Sequence, residues 1–169
     1  MSKYAALLRG VNVGGRIIKM AELKDCLAQI GLSDVRTVLQ SGNVVFKSDL
    51  PASRLKADIE AKLADAFNYP AKAWVKPASE ISQIVDSSPF SQAGKDYHQY
   101  VIFFEDGLEK DFASEAGSLP EPVQAGQGVV YWQVLKGQTL KSPVAKLLAK
   151  AKYKSANTNR NINTLLKLI

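Results

Sequence analysis

The chain has 169 residues, 46% of them apolar and 22% charged, which is ordinary for a folded protein and argues against wholesale disorder. No run approaches the ~20 apolar residues that span a bilayer, and the N-terminal segment has neither the apolar stretch nor the cleavage motif of a signal peptide. Cys26 is the single cysteine and the net charge is +6, so an internal disulfide is excluded, a cytoplasmic location is expected and anionic partners come into view.

In chain order, Tyr4 to Leu8 is a short apolar run suited to a buried strand, followed by a glycine-bearing segment. Met20, Leu23, Leu27 and Ile30 recur at helical spacing, and Gly31 stands where a helix end turns left-handed. Val35 to Leu39 and Val44 to Phe46 are rich in β-branched and aromatic residues, with only Gln40-Ser41-Gly42-Asn43 between them. That pattern predicts a tight antiparallel hairpin. Pro51 opens a second helix whose Leu55, Ile59, Leu63 and Phe67 share one face. A fourth strand, Lys72 to Lys76, ends at Pro77.

The order β-α-β-β-α-β is the split βαβ, or ferredoxin-like, arrangement. The expected fold is therefore α+β, with a ferredoxin-like subdomain over 1–77 and a second, smaller α+β subdomain over 78–169. Within the latter, a helix from about Ala78 to Val85 precedes a strong strand at Tyr100–Phe104. Lys110 to Ala116 reads as a helix and Gly128 to Val134 as a strand. Ser142-Pro143 supplies an N-cap and first-turn pair for a helix with Val144, Leu147, Leu148 and Ala151 inward. A last helix from about Asn161 shows Ile162, Leu165, Leu166 and Ile169 at helical spacing. No internal repeat is visible.

Three polar clusters are candidates for chemistry. Gly10-x-x-x-x-Gly15-Arg16-Ile17 approximates the phosphate-binding loop GxxxxGK[ST]. It lacks both the lysine and the hydroxyl that chelates magnesium, and the predicted helix begins too late to present its amides. A looser anion nest using Arg9, Asn12, Gly14, Gly15 and Lys19 remains, against the simpler role of glycines in a positive-φ turn. Ser41-Gly42 already satisfies the hairpin turn, so the flanking amides of Gln40 and Asn43, with the Ser41 hydroxyl, are candidate ligand contacts, although such side chains often bond their own loop. The stretch Lys154 to Thr164 is the third. Thr158 or Asn159 can cap the last helix, which leaves Arg160, Asn161 and Asn163 beyond what capping requires. Asn157, Thr158, Arg160 and Asn161 are candidate ligand contacts near a helix N-terminus.

Other chemistry is thinly supported. His98 is the only histidine, so zinc ligation and a Ser-His-Asp arrangement are disfavoured, and no metal or other cofactor is expected. Cys26 lies on an apolar helix face, where a thiol is inert.

The segments Tyr4 to Gly15 and Lys19 to Leu23, the segment Val38 to Phe46, and Asn157 to Thr164 with Lys167-Leu168 together resemble a widespread bacterial family of unknown function, family 1697. The resemblance spans the chain, with Ile162 where that family usually has Trp. It implies a ferredoxin-like first subdomain and a second α+β subdomain, and it implies no activity.

Charge is segregated. Residues 1–50 carry 7 basic and 4 acidic side chains, residues 51–120 carry 7 and 11, and residues 121–169 carry 8 and 1. An anion-binding module, for nucleic acid or a phosphorylated small molecule, is the favoured function. The alternatives are a small enzyme working through arginine and amide donors, with Ser41 as its one evident nucleophile, and a protein-interaction domain using a sheet edge or the lysine-rich helix.

Overall fold

The computed structural model describes every residue except Val13, Gly14, Arg16, Gln40, Ser41, Ser91, Gln92 and Ala93. The chain divides into two units, one formed by Met1–Ser82 with Lys167–Ile169, the other by Gln83–Leu166. The fold is mixed α+β, with one four-stranded antiparallel sheet in each unit.

In the first unit β1 (Ser2–Arg9) leads through α1 (Met20–Ala28) to the pair β2 (Ser33–Val38) and β3 (Asn43–Ser48). The chain then passes through α2 (Ala52–Phe67) to β4 (Lys72–Pro77), and α3 (Ala78–Asp86) follows at once. The sheet order is β2-β3-β1-β4. Alternate residues of a strand face opposite ways. Tyr4, Ala6 and Leu8 of β1 therefore join Val44 and Phe46 of β3 in the core with Leu23, Leu27, Leu55, Ile59 and Leu63 from the helices. Each of those leucines contributes roughly 1.5–3 kcal/mol by leaving water. Cys26 belongs to the same core, and its thiol is pushed up by burial.

The second unit runs β5 (Tyr97–Phe104), α4 (Leu108–Ala116), β6 (Val123–Ala125), β7 (Val129–Leu135), α5 (Pro143–Leu148), β8 (Asn157–Asn161) and α6 (Ile162–Leu166). Its sheet order is β6-β7-β5-β8. With β5 taken as first, this is the neighbour order of the first unit, and the helices fall at the same places in the sequence of elements. The registers coincide as well. Leu7 pairs with Asn43 and with Trp74, as Phe103 pairs with Val129 and with Thr158. Tyr4 meets Phe46 at 5.9 Å between ring centres, and their counterparts Tyr100 and Trp132 meet at 5.1 Å. The architecture is thus a repeat that the sequence conceals, because the two halves share little beyond that aromatic pair and a turn glycine.

The second half departs from the sequence expectation in four places. Asn157–Asn161, expected to lead into the last helix, is the edge strand β8, and β6 was not foreseen. Ser142 does cap α5, its Oγ accepting from Ala145 N at 3.0 Å, and Val144, Leu147 and Leu148 are buried. The helix stops at Leu148, however, so Ala151 lies outside it and is exposed. The cap of α6 is Asn161, whose Oδ1 accepts from Asn163 N at 2.9 Å, and not Thr158 or Asn159. Among the described residues, no helix is long and apolar enough to cross a membrane.

Candidate functional site

The antiparallel pairing of β1 with β3 brings two of the predicted clusters to one end of the first sheet. Leu8 N donates to Gly42 O at 2.8 Å, so the β1–α1 connection and the β2–β3 turn are neighbours there. Gly42 has φ +80, and a Cβ on it would meet Leu8 Cβ at 3.1 Å and Val11 Cγ2 at 3.2 Å. Glycine is required here for both conformation and space.

The polar side chains at this end are largely engaged in holding it. Asn12, itself at φ +58, accepts from Ile18 N at 2.7 Å. Asn43 is fully buried and donates to Val38 O at 3.1 Å. Arg9 is half-buried and its pKa is lowered by that burial. Gly15 and Lys19 are exposed, whereas Gly14, Gln40 and Ser41 lie outside the described residues.

The third cluster is split by strand geometry. Consecutive residues of β8 point to opposite faces, so Arg160 and Asn161 part company. Arg160 is buried and donates to Thr158 Oγ1 at 2.6 Å and to Asn159 O at 2.8 Å. Burial pushes its pKa down to about 10. Asn157 is also buried and donates to Tyr153 O at 2.7 Å.

Asn161 faces a different environment. With Lys95, His98, Gln99, Lys136 and Asn163 it lines a cleft of about 250 Å³. Pairing builds the cleft: Tyr97 lies opposite Leu135 and Tyr100 opposite Asn161. Lys136 N donates to Asp96 O at 2.9 Å, which holds the end of β7 beside the start of β5. Among the described lining residues there are two lysines and a histidine, and no carboxylate.

The hydrogen bonds of Asn161 orient its amide. Its side-chain atom facing Asn163 N must be the oxygen, because a backbone N–H only donates. The amide nitrogen Nδ2 therefore faces His98 Nδ1, at 3.3 Å. A neutral imidazole at this position accepts at Nδ1 and carries its hydrogen on Nε2. The ring is packed at 5.8 Å from that of Tyr100. The imidazole lines the same cleft as two lysine side chains.

Of this constellation, the sequence pattern points to Asn161 and Asn163. Lys95 and His98 are close in the chain, but Lys136 and Asn161 come from distant segments, and only strand pairing joins them to that pair. The one usable signal was an acid-poor C-terminal segment, with 8 basic side chains against 1 acidic over residues 121–169, together with a histidine at a strand start.

Fold and cleft define a two-unit α+β protein with a small, positively charged, amide-lined depression in its second unit. A family model described as "Protein of unknown function (DUF1697)" matches residues 1–131, and the chain belongs to that family. Among solved structures it is similar to that of conserved bacterial protein SP0830 from Streptococcus pneumoniae. The two are 25% identical with a TM-score of 0.82, over 99% of this chain and 96% of that one. No curated protein matches the chain.

Proposed function

We propose that the protein binds a small anionic ligand, of the phosphate-bearing class, in the cleft of the second unit. The observation that carries this reading is the cleft itself, where Lys95, Lys136, His98 and Asn161 gather around one concavity lined by no acidic group among the described residues. Lysine ammonium groups supply charge, and the imidazole of His98 supplies a polar ring beside them. The small extent of the cleft favours a small phosphorylated molecule over nucleic acid, which needs an extended basic track.

The surrounding reading follows the same line. The order β2-β3-β1-β4 with helices in the crossovers supports calling the first unit ferredoxin-like, and the second unit repeats it. A reducing, cytoplasmic setting agrees with a buried lone thiol at Cys26.

Calorimetric titration with inorganic pyrophosphate tests the proposal. Lys95→Ala with Lys136→Ala is expected to weaken binding by about tenfold or more, the size of one lost charge-assisted contact or two. Lys19→Ala in the first unit leaves it unchanged. Affinity should decline gently with salt; the steep decline of a ligand that releases many counterions would point to nucleic acid instead. Equal affinity for the double variant and the parent protein rejects the cleft as the site.

A further inference from the structure

The cationic cleft does not stand alone. A second cavity of about 500 Å³ lies beside it, and Tyr97 lines both. The character of the second cavity is different. Its walls include Pro120, Pro122 and Pro143 with Val134 and Leu135. Glu121 and Lys141 also line it; Glu121 Oε1 accepts from Val144 N at 3.3 Å, while its Oε2 is buried with no hydrogen-bond partner among the described residues. Tyr97 is 39% exposed, which leaves aromatic surface open between a charged depression and an apolar one. Together the two cavities fall inside the roughly 300–1,000 Å³ typical of ligand sites, where apolar walls carry a few placed polar groups. The smaller cleft alone falls below that range.

We infer that the ligand is an organic phosphate with a ring-bearing body. Its phosphate sits among Lys95, Lys136 and His98, and its ring lies against Tyr97 toward the proline-lined cavity. This deepens the anion-binding reading and rests on it. A free phosphate uses only the first cavity, whereas a ring held over Tyr97 adds the stacking contribution of an aromatic platform.

Titrations with inorganic phosphate and with adenosine 5′-monophosphate, followed by calorimetry, separate the possibilities. The nucleotide is expected to bind about tenfold tighter or more than phosphate. Tyr97→Ala should remove most of that advantage and leave phosphate affinity unchanged, while Tyr97→Phe, which keeps the ring, retains it. Phosphate and nucleotide binding equally well to the parent protein overturns the inference and spares the cleft. An advantage that survives Tyr97→Ala also overturns it. Failure of both ligands to bind overturns the cleft reading along with it.

Discussion

The two units invite comparison position by position, because one frame is built twice from different residues. At the end where the first strand of each unit hands on to its helix and the second turns into the third, Leu8 N donates to Gly42 O at 2.8 Å, and Phe104 N to Gly128 O at 3.5 Å. Yet the connection that follows spans residues 10–19 in the first unit and only Glu105–Gly107 in the second. A three-residue link therefore suffices for the frame, and most of the longer loop goes beyond what the topology demands. At the opposite end the contrast reverses. The register partners of His98 and Asn161 in the first unit are Ser2 and Pro77, so the imidazole–amide pair has no counterpart there. Each unit keeps the frame and elaborates a different end of it.

The comparison is sharpened first at its cores. Phe46→Ala and Trp132→Ala remove equivalent, fully buried rings, and each is expected to cost about 3–5 kcal/mol in urea unfolding. A cost under ~1 kcal/mol for either would break the equivalence of the two cores.

The matched turn glycines come next. Gly128→Ala meets nothing within 4 Å and is expected to cost only the left-handed backbone term, about 1–2 kcal/mol. Gly42→Ala adds contacts of 3.1–3.3 Å with Leu8 and Val11, so its cost should exceed that of Gly128→Ala by about 1–3 kcal/mol. Equal costs would show that Leu8 and Val11 yield freely.

A third comparison uses the residue that differs. Asn43 stands where the second unit has Val129. Asn43→Val removes the donor to Val38 O and should cost about 1–3 kcal/mol; a neutral result would make the asparagine dispensable to the frame.

The smallest effect is in alkali. The hydroxyl of Tyr153, buried and donating to Glu115 Oε1 at 2.5 Å, is pushed up to about 12 by burial first and by that carboxylate second. Between pH 10 and about 12 the unfolded chain releases this proton while the folded one keeps it, so stability falls as pH rises through that window and is fully present below it. Tyr153→Phe should show a shallower fall in chemical-denaturation midpoint over the same range. An unchanged slope would remove Tyr153 from the account.

Much of the first unit was legible because its strands and helices follow clear periods of 2 and 3.6, as in Leu55, Ile59 and Leu63. The second unit hid its strands. β6 has only three residues, and β8 reads Asn-Thr-Asn-Arg-Asn, with no apolar alternation to mark it. Its strand character comes from pairing with β5, a partner more than fifty residues away. That same misreading placed Arg160 and Asn161 in one patch, when a strand separates them. The candidate site suffered similarly. Asn161 stood out by composition, but His98 gains meaning only from the amide opposite it, and Lys136 only from the bond between its backbone and Asp96.

The most direct measurement is a pyrophosphate titration of isotopically labelled protein, followed by amide chemical shifts in NMR spectra. Saturable shifts centred on Lys95, His98, Lys136 and Asn161 are predicted, with Gly10, Asn12 and Lys19 unmoved. Shifts confined to the long loop of the first unit, or none at any concentration, would contradict the assignment of ligand binding to the second unit's cleft.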